Sequence, residues 1–285
     1  GSEMCIRDRN PVIRFACAAI IFVFFLIYTA SAFSSGAKLF NYMFGTDYTL
    51  SLTIGALIII SYTFLGGFFA VCWTDLIQGL LMFAALVIVP LVCIIQTPDV
   101  SAVQFLNADG AVISNYLNLF ENVNGDIAWT TILSGLAWGL GYFGQPHILV
   151  RFMGISSPQA IKKSRRIATV WVLISLTAAI MIGVSGRMFL GDGLLLNDGN
   201  QETIYINMVA KIFPVFIAGI FLSAILAAIM STADSQLLVT ASAITEDFYH
   251  NKIRKNASEK ELMWVSRGCV MAVAIIAVLI ATNQN

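Results

Sequence analysis

Five polar side chains fall within six consecutive positions, Ser231-Thr232-Ala233-Asp234-Ser235-Gln236, in a run otherwise built from Leu, Ile, Ala, Val and Phe. Ser231, Asp234 and Ser235 are spaced i, i+3, i+4, so a helix puts them on one face. Hydroxyls and a carboxylate are hard oxygen donors, a set suited to a hard cation such as Na⁺. Hydroxyls can instead bond back to their own helix or tie helices together. That reading accounts for Ser231 and Thr232. It does not account for Asp234, because a carboxylate in an apolar run is costly and marks a functional position.

A second constellation runs from Trp138 to His147, where Gly139, Gly141, Gly144 and Pro146 interrupt the apolar run around Tyr142 and Gln145. Each Gly weakens a helix by about 1 kcal/mol and Pro by about 3 kcal/mol. Trp138 and Tyr142 are four apart and share a helical face. A break inside a span frees backbone groups, tolerated where they line a cavity or ligand. The plainer alternative is a span end carrying an interfacial aromatic belt. Asp75 follows Gly66-Gly67 and is either a functional carboxylate or, with Thr74, a cap at the start of the next helix. Tyr28, with Thr29 and Ser31, is a mid-span tyrosine of the kind that bonds a neighbouring helix.

The elements that must position these residues are membrane helices. Hydrophobic residues make up 58% of the 285 and charged residues 11%, against about 25% charged in soluble domains. The apolar runs are continuous, which selects helices over the alternating strands of a barrel. The expected architecture is all-α and polytopic, with seven transmembrane helices near 12–34, 50–70, 74–96, 128–147, 167–190, 214–245 and 261–282. The sixth is too long for a simple crossing and is expected to tilt or to run past the membrane at Glu246-Asp247. Counting Lys and Arg on alternate sides gives thirteen against three. The richer side, with loops 148–166 and 250–260, is therefore expected in the cytoplasm, and the chain in the plasma (inner) membrane. Ser157-Pro158 reads as a helix start, predicting a short basic helix over 158–166 on the inner surface.

Sixteen basic and sixteen acidic residues balance, which argues against a nucleic-acid partner. The five cysteines show no CxxC spacing, and two histidines are too few for a His-based metal site. No nucleophile–base pair is visible, so no enzyme is expected and no cofactor beyond a coupling ion. Residues 1–10, GSEMCIRDRN, read as a non-native scar.

Three stretches carry a resemblance to a known family. WGLGYFGQPHILVRFM, within Gly135–Met153, FLSAILAAIMSTADSQLLVTASAITEDFY at 221–249 and YTFLGGFFA at 62–70, followed by Trp73-Thr74-Asp75, closely resemble the sodium/proline symporters of the sodium:solute symporter family. The resemblance covers residues 12–282. It implies part of an inverted-repeat fold of five plus five helices, with 11–285 supplying core helices three to nine and the N-terminal and C-terminal helices lacking. It implies sodium held by Ser231, Thr232 and the Ala228 carbonyl, and a proline pocket shaped by Tyr28, Trp138 and Tyr142 beside Gln145 and Pro146. Asp75 matches an aspartate tied to sodium coupling. With Asp234 and Ser235 it forms a possible second cation site, in which Asp234 stands where serine is usual. The function implied is sodium-coupled import of a small amino acid, proline foremost, with Na⁺, that solute and the lipid bilayer as partners. Alternatives within the resemblance are symport of sugar, sialic acid or pantothenate, or a transporter-like sensory domain of a membrane histidine kinase. A seven-helix receptor fits the span count alone.

Overall fold

The computed structural model describes residues 11–97, 105–106, 110–122, 124–142, 144–155, 157–191 and 203–282. The expected scar at 1–10, together with Asp99, Asp109 and Ser156, lies outside them, as does the side chain of Trp138.

The described chain is helical: α1 (Pro11–Phe44), α2 (Tyr48–Gln96), α3 (Trp129–Tyr142), α4 (Pro146–Met153), α5 (Pro158–Leu190), α6 (Ile204–Ile212), α7 (Val215–Ser242), a π-helical continuation (Ala243–Ile253) and α8 (Glu259–Ala281). Among the described residues, five helices are long and apolar enough to cross a membrane: α1, α2, α5, α7 with its continuation, and α8. The expected spans 50–70 and 74–96 are one 49-residue helix broken by non-helical geometry at Gly67. A straight helix of that length would span about 73 Å, more than twice the hydrocarbon core, but the break divides it into two arms. The expected span 128–147 is interrupted, with α3 at 14 residues and α4 at 8.

The start at Ser157 is as read. Its side chain accepts from the Ala160 amide, and Pro158 takes the first helical position. The separate surface helix expected over 158–166 is corrected: the helix runs unbroken to Leu190, because no Gly or Pro stands between Arg166 and the apolar run that follows. The extension of the sixth run past Ser242 takes the form of eleven π-helical residues.

The chain divides into two compact units, 1–80 with 225–285, and 81–224. In the first, α1 packs against α8 and the π-helix. Its core joins Leu26, Phe33, Leu52, Ile59, Leu237 and Val273. Buried Tyr48 ties three helices, donating to the Ala281 carbonyl at 2.7 Å and lying 3.0 Å from the Ser34 hydroxyl. The Ala281 carbonyl is one of the acceptors that a helix C-terminus leaves without an internal partner. Tyr48→Phe is therefore expected to cost about 1 kcal/mol, read as a lower thermal midpoint of the purified protein. At the π-helical end, Tyr249 donates to Glu261 (2.6 Å), Arg254 reaches the same carboxylate (2.7 Å), and Arg14 lies 3.9 Å from Asp247.

In the second unit, α5 packs against α6 where Gly186 meets Met208 and Ile204. Phe83 packs on Trp171 with centroids 4.4 Å apart. Arg187, near the end of α5, lies over the Phe105 and Tyr116 rings and donates to the Leu106 carbonyl, fastening the segment before α3. Large apolar side chains such as Phe24, Ile27, Leu57, Leu173 and Ile180 are exposed along the long helices, as expected for surfaces whose solvent is lipid.

Candidate functional site

The polar cluster is built by two helices of the first unit, α2 and α7. Ser231, at the middle of α7, donates to Asp75 Oδ1 at 2.5 Å. One turn further along, Asp234 is fully buried and accepts from the Tyr62 hydroxyl at 2.8 Å. Ser235, also buried, lies 3.3 Å from the other Asp234 oxygen. The Asp75 and Asp234 carboxyl groups are close enough to act on each other electrostatically, and Gln78 lies beside the Tyr62 hydroxyl.

These contacts require α2 to turn back on itself. Tyr62 and Asp75 are thirteen residues apart, about 20 Å along a straight helix. Their partners Asp234 and Ser231 are one turn apart on α7. The turn is at Gly67, whose φ of 56° and ψ of −154° lie in a region essentially open only to glycine. Gly66 marks how tight it is. A Cβ added there would sit 2.1 Å from the Ala70 Cβ, whereas residues four apart on a helix keep Cβ atoms about 5–6 Å apart. Two glycines in succession thus serve different needs, one of backbone conformation and one of space.

The structure brings together Asp75, Ser231, Asp234 and Ser235, the residues whose types suggested a cation. Ala228, Ser231 and Thr232 recur at i, i+3, i+4 on α7, each half-buried. The capping alternative for Asp75 is corrected. The helix is already running there, and the Thr74 hydroxyl bonds back to the Ala70 and Val71 carbonyls. The aromatic set is divided between the units: Tyr28 belongs to the first, and Trp138, Tyr142, Gln145 and Pro146 to the second. Tyr28 and Tyr142 are exposed, and Gln145 and Pro146 half-buried. The interruption expected in this stretch is present. α3 ends at Tyr142, and α4 begins at Pro146 after Gln145 in extended conformation.

Tyr62 and Gln78 were not singled out from the sequence. The available signal was a tyrosine four residues before a glycine pair, in the middle of an apolar run.

The chain is similar to several known proteins. The model of the sodium:solute symporter family matches residues 6–285. The high-affinity proline transporter PutP of Bacillus subtilis is 41% identical over 283 residues, which cover 98% of this chain and 57% of that protein. The sodium/proline symporter of Escherichia coli is 42% identical over 282 residues, 98% of this chain and 55% of that protein. Among solved structures, a Na⁺-coupled sialic acid symporter in a substrate-bound outward-open state matches with a TM-score of 0.72 at 21% identity, covering 93% of this chain and 57% of that one. The chain spans about half the length of the relatives it matches. These matches and the apolar helices make this a multi-pass membrane chain, and the chain belongs to the sodium:solute symporter family.

Proposed function

We propose that the whole protein carrying this chain is a sodium-coupled symporter that imports a small amino acid, proline foremost. The observation that carries the reading is the Ser231–Asp75 contact at 2.5 Å, which joins a hydroxyl and a carboxylate from two apolar helices, hard oxygen donors of the kind that a coupling cation uses. Proline is favoured because the relatives above are a proline transporter and a sodium/proline symporter.

In this reading Ala228, Ser231 and Thr232 hold one sodium ion, and Asp75, Asp234 and Ser235 form a second cation site. Tyr28, Trp138, Tyr142, Gln145 and Pro146 are the solute-binding residues of this reading. The chain supplies core helices three to nine of a five-plus-five inverted repeat and makes seven crossings, with α2 crossing twice by its turn at Gly67. The loops 148–166 and 250–260 face the cytoplasm across the inner membrane. Sodium and solute each stabilise the same conformation, and coupling is the free energy they share through it.

The test is uptake of labelled proline by the whole protein in sodium and in choline. Uptake above background only in sodium is expected, and equal uptake in both removes the coupling. Asp234→Asn separates the second site. Losing a carboxylate that serves an ion is expected to raise the half-saturating sodium concentration about tenfold, equivalent to about 1.4 kcal/mol. An unchanged sodium curve makes Asp234 a packing residue.

A further inference from the structure

Tyr62 has no part in the sites above, yet it makes the shortest contact to the one fully buried carboxylate among the described residues. Asp234 sits inside α7 with 0% exposure and with the Asp75 carboxyl acting on it. An anion so placed persists only if donors or a cation replace the water it has lost. Two hydroxyls donate to its side chain, Tyr62 on Oδ2 at 2.8 Å and Ser235 on Oδ1 at 3.3 Å, and the Ser235 backbone N–H supports it as well. Of the two hydroxyls, that of Ser235 is long for an O–H···O bond and that of Tyr62 is ordinary, so Tyr62 is the stronger hydroxyl donor. On the same turn of α7, Ala233 and Leu237 pack in one core with Phe33, Ile59, Val273 and Ala277, and Gln236 is buried beside them.

We infer that Tyr62 is a positioning residue for cation coupling: its hydroxyl fixes Asp234 by Oδ2 and leaves Oδ1, with its long serine contact, as the oxygen that a cation shares with Asp75 and Ser235. The turn at Gly67 makes this possible, because it sets Tyr62 on one arm of α2 and Asp75 on the other against successive positions of α7. The tyrosine acts through Asp234 and is not itself an ion ligand. The inference rests on the sodium-coupled reading above and adds to it the residue that sets ion affinity.

The test compares Tyr62→Phe with the unsubstituted whole protein in sodium-dependent proline uptake. Half-saturating sodium is expected to rise about tenfold, while the proline KM at saturating sodium stays within twofold. Tyr48→Phe, which also deletes a buried tyrosine hydroxyl in the same unit but far along α2 from the cluster, is expected to leave half-saturating sodium unmoved. In an Asp234→Ser background, Tyr62→Phe is expected to shift the sodium curve by less than twofold, since residues acting as one unit are non-additive. A Tyr62→Phe protein with the wild-type sodium curve overturns the inference, and so does an undiminished shift in the Asp234→Ser background. If Tyr62→Phe lowers the amount of protein, the sodium-induced rise in thermal midpoint of the purified protein reads binding per folded molecule. A rise equal to wild type then overturns the inference. Wild-type uptake that ignores sodium overturns the functional reading and the Tyr62 role together, whereas sodium-dependent uptake indifferent to Tyr62→Phe overturns the Tyr62 role alone.

Discussion

Alanine at Ser231 is expected to abolish sodium-driven proline uptake at ordinary sodium concentrations, and alanine at Thr232 to weaken it strongly. Each substitution removes a hydroxyl from a proposed sodium site. A hydroxyl contact to a charged group contributes about 1.5–3 kcal/mol, so losing one raises the half-saturating sodium concentration roughly 10- to 150-fold. Ser231→Ala has a further cost. It deprives Asp75 of the hydroxyl held at 2.5 Å from Oδ1, disturbing both proposed cation sites at once, while Thr232 is half-buried beside it. The order of effect, Ser231→Ala above Thr232→Ala, separates this arrangement from two equivalent ligands. Ser231→Thr and Thr232→Ser keep the hydroxyl and are expected to retain measurable coupling. The assay is uptake across a sodium series, normalised to protein in the membrane. Full uptake in both alanine variants sinks the assignment.

The largest effect on folding is expected from the glycine pair. Gly67 has space around it, and no atom lies within 4 Å of an added Cβ. Its barrier is conformational, and forcing a side chain into that backbone region costs about 1–3 kcal/mol. Gly66 presents the opposite case, ordinary backbone and no space, with an added Cβ 2.1 Å from the Ala70 Cβ. Gly66→Ala and Gly67→Ala are therefore both expected to lower the yield of monodisperse protein and its thermal midpoint. Ala70→Gly should rescue the first and leave the second unchanged. Rescue of both by Ala70→Gly would show that crowding alone sets the turn, and rescue of neither would remove Ala70 from the account.

The helices were legible in the sequence because lipid demands long apolar runs, and composition records that demand directly. Helix ends with local chemistry were legible too, as at Ser157-Pro158, where a capping hydroxyl and a proline announce the start. The turn in α2 was not. The boundary read near residues 71–73 lies at Gly67, with helix running on to both sides. A reversal that needs only one positive-φ glycine leaves no polar segment for hydropathy to register. The site was half legible. Asp75, Ser231, Asp234 and Ser235 stood out because polar atoms are expensive in hydrocarbon. Which of them touch could not be read, since the Ser231–Asp75 and Tyr62–Asp234 pairs are separated by 156 and 172 residues. Tyr62 escaped notice because a lone tyrosine is at home in an apolar run, and only its hydroxyl's partner distinguishes it from packing.

The reversal at Gly67 also bears on how the protein is made. Tyr62 and Asp75 belong to one short stretch and are made almost together. Ser231 leaves the ribosome 156 residues after Asp75, roughly 8–31 s later at about 5–20 residues per second. For that interval Asp75 exists without the serine that will later meet it. Gln78, three residues after Asp75 and beside the Tyr62 hydroxyl in the finished fold, is made with the same stretch, so the α2 side of the cluster is complete long before its α7 side.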